Sequence, residues 1–442
     1  VSYLSNFPGK LARKVASHLS LLKRDPERFG RNLLQVTNPE LFEQRLVDVL
    51  DAVPMHITID PALRRPAHLN VLNSNLTALG MTGGPNTIVN LTHRIAGRGI
   101  PVRLVTTVGT STMDPHWFRN HAIRLTGDPT MPEVPVVSAA DPARPLEVGV
   151  NDIFLATHWT TAQQLKAVLP RMATRQFFYM LQEFEPAFYA WSSNYALALE
   201  TYSMDFWPIF NEAQLADYMF AQRIGSFADP ATRARATIFE PAIETRIFHP
   251  PASDAGANPK RLLFYARPSN TRNMFGLGLM ALRQASADPA FAGWEFHAIG
   301  ARGSLPPMTL QGGHVLRPAS WMDYDAYAAS LRQASVLLCP MLSPHTSYPV
   351  LEMAATGGLS VTNTFETKTR DSLEALSANI VATKPTVEAM AAGLVAAARR
   401  VNVAQGRVAS LNMAREWAAT LDPAAHRVAA LFRHLVGETT LH

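Results

Sequence analysis

Cysteine is almost missing from this chain of 442 residues. The single one, Cys339, excludes an internal disulfide framework and suits a reducing compartment. It lies in the apolar run "SVLLCPM" and reads as buried and inert. No run of about 18 apolar residues occurs, so no helix is expected to span a membrane. The chain has no internal repeat and no low-complexity tract. It also has no H-E-x-x-H, no paired cysteines and no P-loop, which removes the metal and phosphate sites those motifs build. Charge is sparse: 17% of residues are charged against 47% apolar, so bulk disorder is excluded and a large core is possible.

What charge there is leans positive. The net charge is +5, the pI about 9.4, and arginine greatly outnumbers lysine. A basic surface attracts nucleic acid, anionic lipid or phosphorylated small molecules, and the sign alone does not choose among them. The aromatics form no spaced stacking series and no nucleic-acid-binding signature is present, so a nucleic-acid partner is not expected.

The length fits two or three domains. Residues 1–66 read as a helical extension. In "NFPGKLARKVASHLSLLKR", Leu11, Val15, Leu19 and Leu22 keep helical spacing among Lys10, Arg13, Lys14 and Lys23. This helix packs on its own domain or lies on an anionic membrane surface. Residues 67–250 read as an α/β domain. "HLNVLNSNL", the turn "GMTGGPN", the helix "NTIVNLTHRIAGRG" and "VRLVTTV" make a βαβ unit, and "DIFLAT", "RQFFYML" and "WPIFN" add strands. Residues 251–260, "PASDAGANPK", read as a linker. A second set of alternating elements fills 261–410, and helices interrupted at Pro423 fill 411–442. Two successive α/β domains imply a cleft beyond the carboxyl ends of their strands.

Three stretches point into such a cleft. "ARPSNTRN" follows the first strand of the second domain and sets Arg267 and Arg272 five residues apart across a tight turn. Planar, permanently charged guanidinium groups suit phosphate oxygens. In "MLSPHTSYPVLEMAATGG" a polar loop meets a helix opening near Pro349. The backbone N–H groups of Ser347, Tyr348, Val350 and Leu351 can then meet a phosphate. Glu352, placed in the first turn, can accept hydrogen bonds from a ribose hydroxyl or simply face the helix dipole. Gly83 and Gly84 allow close backbone approach at the first domain's own turn. Together these describe a nucleoside diphosphate site. Asp323 and Asp325 read as the polar first turn of a helix, so no metal site is expected.

The segment "SYPVLEMAATGGLSVTN" resembles the donor-site motif of glycosyltransferase family four. "RPSNTR" matches that family's basic turn, with Arg272 in place of its Lys. "TIFEPAIETRIFHP" and "IFNEAQLADYM" resemble two more of its stretches, and the likeness runs over roughly residues 70–400. "RPSNTRN", "QEFEP" and "WSSNYALALETY" look most like polysaccharide rhamnosyltransferases that use dTDP-β-L-rhamnose. The resemblance implies two facing Rossmann-like domains, the GT-B arrangement, with the last helix crossing back to the first domain. It implies transfer of a deoxyhexose from a nucleotide-sugar donor to a glycan or lipid-linked glycan, with retention, at the cytoplasmic side of a membrane and without a cofactor. A base pocket would involve Arg302 and Trp321. Two departures stand out. Pro344, beside His345, occupies the place of the family's second acid, and Gln182–Glu183 occupies that of its strand-end His. Glu183, Glu185 and His158 are therefore the candidates for a general base, should the route invert instead. The alternatives are a UDP- or GDP-sugar donor, a non-enzymatic anion binder, and a dinucleotide oxidoreductase, the last disfavoured by the lack of a G-x-G-x-x-G fingerprint.

Overall fold

The computed structural model of the protein describes residues 54–437 apart from 64, 110–112, 252–258, 302–304 and 405. The basic helix expected over Lys10–Lys23 and most of the inferred linker lie outside the described residues.

The first half of the chain supplies β1 (Ile57–Asp60), β2 (Leu69–Asn73), β3 (Val102–Thr106), β4 (Val136–Ser138), β5 (Leu146–Gly149), β6 (Ile153–Ala156), β7 (Phe177–Leu181), β8 (Phe206–Asn211) and β9 (Thr237–Phe239). Seven of these form one sheet in the order β4-β3-β2-β6-β7-β8-β9, and every neighbouring pair is parallel. β2, β6 and β7 are buried at every residue, which is why they read as unbroken apolar runs rather than alternations. Separate cores cover the two faces. The β1 strand corrects the expected boundary at residue 66: "ITID" pairs in parallel with β5 and belongs to the first domain. Its β-branched residues suit a strand, and Arg65, just beyond it, is anchored by Asp152 at 2.7 Å.

The second half supplies β10 (Arg261–Tyr265), β11 (Glu295–Ile299), β12 (Met308–Thr309), β13 (Val315–Pro318), β14 (Val336–Leu338), β15 (Leu359–Asn363) and β16 (Ile380–Thr383). They order as β12-β13-β11-β10-β14-β15-β16, parallel except for the short edge strand β12. Two more cores cover this sheet. Cys339 is fully buried here, and burial pushes its thiol up to about 12.

The helix Trp417–Leu435 returns to the first domain. Leu421, Ala425, Val428 and Phe432 join Leu91 and Ile95 of the helix Gly83–Ala96 in one core, and Arg94 Nη1 meets Asp422 Oδ1 at 2.9 Å. This helix runs through Pro423 without a break, against the interruption expected there. Proline removes one backbone donor and disfavours a helix interior. The buried seam on both sides of it holds the helix together regardless.

Each sheet has a point where its connections diverge to opposite sides, between β2 and β6 in the first and between β10 and β14 in the second. Crevices at the carboxyl ends of such strands are where α/β sheets bind ligands.

Candidate functional site

The motif residues gather at these two crevices, and the crevices face each other. After β2 the chain turns into the helix that opens on Gly83 and Gly84. After β14 it runs through Met341–Ser347 into the helix Tyr348–Ala355. Asn211 Nδ2, at the end of β8, donates to the Tyr348 hydroxyl at 2.7 Å. A Cβ on Gly83 would lie 3.6 Å from the Tyr348 ring, and one on Gly84 would lie 3.3 Å from Gln182 Nε2. Gly83 therefore sits where the first domain's backbone approaches the second domain's helix, while Gly84 packs against Gln182 of its own domain.

On the second domain, Ser347 caps the helix with extended backbone and makes no side-chain capping bond. Pro349 has no N–H to offer, and the Val350 amide donates within the turn to Ser347 O at 3.0 Å. That corrects the expectation that Val350 is open to a phosphate, while Leu351 is fully buried. Glu352 is the fifth helical residue, in the second turn and not the first. Its Oε2 accepts from the Tyr327 hydroxyl at 2.7 Å, and burial pushes its carboxyl up to about 7. Asp323 caps the helix Tyr324–Arg332, accepting from Ala326 N at 2.8 Å, with Asp325 in the first turn. Among the described residues no group of three or more His, Cys, Asp or Glu could hold a metal ion. Trp321 is 47% exposed, and Arg302 lies outside the described residues.

The two arginines differ. Arg267 leaves β10 with its guanidinium 5.9 Å from the Tyr265 ring centroid. Arg272 sits in the short turn Thr271–Asn273 and points at the first domain. Its guanidinium lies 4.6 Å from the Phe188 ring, and Nη1 is 3.3 Å from Glu183 Oε2. Nε and Nη1 are buried and make no hydrogen bond. Nη1 has the Glu183 carboxylate beside it, whereas Nε has no acceptor, and a buried donor without an acceptor is costly.

On the first domain, Glu183 follows β7. Its Oε1 accepts a short hydrogen bond from the Ser343 hydroxyl of the second domain and another from Phe184 N at 3.0 Å. Glu185 turns the other way: Oε2 accepts from Trp159 N at 2.7 Å and from the Tyr179 hydroxyl at 3.2 Å, and burial pushes the carboxyl up to about 8. All these partners belong to the first domain, so the structure separates the two glutamates. His158 caps the helix Trp159–Leu165, with Nδ1 2.9 Å from Thr160 Oγ1, and burial pushes its ring down to about 4. It stacks on Phe188 at 6.1 Å, so Phe188 links His158 to Arg272.

Three residues of the cleft were not picked out from sequence as site residues. Glu212, just past β8, accepts Thr346 N on both carboxylate oxygens at 3.0 and 3.1 Å. His345 Nε2 lies 3.4 Å from Glu212 Oε2. Lys368 is 1% exposed and its Nζ donates to Met341 O at 2.8 Å; burial pushes the ammonium down to about 8. Glu212 had one legible signal: like Glu183, it is an acid at the end of a buried strand.

Residues 68–212 match the N-terminal domain of WsaF and residues 260–395 its C-terminal domain. The chain carries both WsaF domains, in order. The two spans together exceed half of its length, and they contain Gly83, Gly84, Glu183, Glu212, both arginines and the Tyr348 helix. A stretch of 220 residues is 34% identical to the O-antigen biosynthesis protein RfbC of Myxococcus xanthus, over 48% of this chain and 15% of that protein. The WsaF-type chain thus spans a small part of that relative's length. The solved structure of HepE from Anabaena, in complex with UDP-glucose, superposes with a TM-score of 0.50 at 13% identity, covering 84% of this chain and 98% of that one. At that identity the likeness is one of fold. The WsaF pair is a GT-B protein, with two parallel-sheet domains facing each other across the cleft.

Proposed function

We propose that the protein is a glycosyltransferase of O-antigen or related cell-surface polysaccharide synthesis, moving L-rhamnose from dTDP-β-L-rhamnose onto a growing glycan with retention. The observation that carries this reading is Arg272, which pairs with Glu183 across the cleft and keeps a buried Nε without a hydrogen bond at the switch point of the second sheet. An anion arriving there completes its hydrogen bonds. The WsaF domains, the O-antigen relative and a GT-B neighbour solved with a nucleotide sugar all support the class.

In this reading Arg267, Arg272 and the backbone at Ser347 and Tyr348 hold the donor diphosphate, and Glu352 exchanges Tyr327 for a ribose hydroxyl. Breaking the sugar–phosphate bond builds negative charge on the diphosphate, which the guanidinium groups stabilise as it develops. In retention the departing phosphate takes the acceptor proton on the same face, so no protein carboxylate acts as nucleophile. The acceptor is a glycan or lipid-linked glycan presented at the cytoplasmic face of a membrane. Among the described residues no helix is long and apolar enough to cross one.

The test is transfer of radiolabelled rhamnose from dTDP-β-L-rhamnose to a cell-envelope glycan extract, with and without EDTA. Product in both arms supports the reading. Turnover only with a UDP- or GDP-sugar would replace the donor, and loss in EDTA restored by Mn²⁺ would require a metal site involving Asp323 or Asp325.

A further inference from the structure

Glu212 adopts a backbone conformation that side-chain-bearing residues avoid, with φ 91° and ψ 129°. Such strain persists only where the surroundings over-determine it, and it concentrates at functional positions. The strand before it is fixed, since Glu212 N donates to Phe239 O of β9 at 2.8 Å. The strained turn sends the side chain out of its own domain and across the cleft.

There it meets the loop that leads into the Tyr348 helix. Both carboxylate oxygens accept from Thr346 N at 3.0 and 3.1 Å, and His345 Nε2 lies 3.4 Å from Oε2. Gln214, two residues on, accepts from Thr346 Oγ1 at 3.0 Å, and Glu183 accepts from Ser343. The loop's own domain holds its start, where Asn363 Oδ1 accepts from Met341 N at 2.7 Å. The middle of the loop is thus held by first-domain side chains. Glu212 is 3% exposed, so the contact is shielded from water and its geometry is specific.

We propose that Glu212 is a cross-domain positioning residue. Its carboxyl group holds the Thr346 backbone N–H and lies against the His345 ring, so that the start of the Tyr348 helix takes its ligand-ready place only when the two domains close. This rests on the reading that the helix start binds the donor diphosphate. Opening the domains frees the loop, which couples the placement of the helix start to closure.

The experiment uses the full chain with one nitroxide label on an exposed introduced cysteine in each sheet domain. Interdomain distances are measured by electron spin resonance with and without dTDP, and dTDP affinity by calorimetry. Glu212→Gly removes the carboxylate and adopts φ 91° without strain, so it should fold with an undiminished melting temperature. It should nevertheless broaden the distances toward open forms and weaken dTDP binding roughly tenfold, within the usual range of coupling between sites. Glu212→Gln keeps an acceptor oxygen for Thr346 N and should restore most of both. Wild-type distances and dTDP affinity in Glu212→Gly would overturn the proposal, as would equal losses in Glu212→Gln and Glu212→Gly. If dTDP binds none of the proteins, the diphosphate reading fails, while the distances still decide whether Glu212 holds the domains together.

Discussion

Arg272 of the second domain and Glu183 of the first form an ion pair across the cleft, with Nη1 3.3 Å from Oε2. Arg272 Nε remains without a hydrogen-bond partner. Under the proposed function Glu183 competes with the donor diphosphate for this guanidinium, so the two residues should respond oppositely to mutation.

Arg272→Ala should weaken dTDP binding by about 1.5–3 kcal/mol, the usual contribution of a hydrogen bond to a charged group. Turnover should fall more, by roughly 10²–10³-fold, because leaving-group charge grows in the transition state. Arg272→Lys should recover only part, since a point charge cannot make a forked contact. Glu183→Gln should tighten dTDP binding by releasing the guanidinium. Calorimetry on folded variants checks the signs, and a neutral Arg272→Ala would place the phosphates elsewhere.

The nucleotide base can be read from a thermal-shift panel. dTDP should stabilise the protein by about 2.7 kcal/mol at a hundredfold excess over Kd, and by more than UDP, GDP or ADP at the same concentration. Trp321, 47% exposed just ahead of the helix Tyr324–Arg332, is the stacking candidate. Trp321→Ala should cost about 1–3 kcal/mol of dTDP affinity, as base–aromatic stacking does. A larger shift with GDP would remove the dTDP assignment.

Gly84→Ala separates folding from function. A new Cβ would press on Gln182 Nε2 at 3.3 Å, the flexible end of a side chain. Alanine is favoured over glycine in a helix by about 1 kcal/mol, so stability should hold or rise. Under the proposed function transfer should fall, because the added methyl displaces Gln182 beside the Asn211–Tyr348 contact between the domains. Unchanged transfer would reduce this glycine pair to turn geometry.

Stability should decline on the alkaline side of neutrality. Burial raises Glu185 and Glu212 to about 8 and Glu352 to about 7 from an ordinary 4.5. Each binds its proton more tightly when folded, so its contribution is complete below 4.5 and is lost as pH rises through the folded value. Burial lowers His121, His158 and His345 to about 4 from 6.5, so their contribution is complete above 6.5 and is lost as pH falls. The two sets oppose each other between 4.5 and 6.5; from 6.5 to about 8 the carboxyls dominate, and above about 8 the lowered Lys368 ammonium acts against them. Tm at constant ionic strength should fall from pH 6.5 to about 8. Glu352→Gln should flatten the slope; a rising Tm there would contradict the burial of these acids.

Sequence alone determined the elements, because burial on both sheet faces writes itself as contiguous apolar runs and helix ends write themselves as local turn chemistry. The second domain's half of the candidate site could be drawn from sequence for the same reason. Arg267 and Arg272 lie in one turn, and the loop and helix around Tyr348 are one continuous stretch. Where local chemistry yields to packing, the reading shifted. Pro423 sits inside an unbroken helix because a buried seam outweighs one missing donor, and Glu352 is a turn deeper than the proline implied. Only tertiary structure could set Glu185 inward and Glu183 into the cleft, since both follow the same strand and differ in how the Glu185–Phe188 turn aims them. Only tertiary structure could bring Glu212 to Thr346, two residues 134 apart in the chain. Contacts between domains leave no periodicity behind, because their partners are chosen by how two finished surfaces meet and not by their neighbours in the chain.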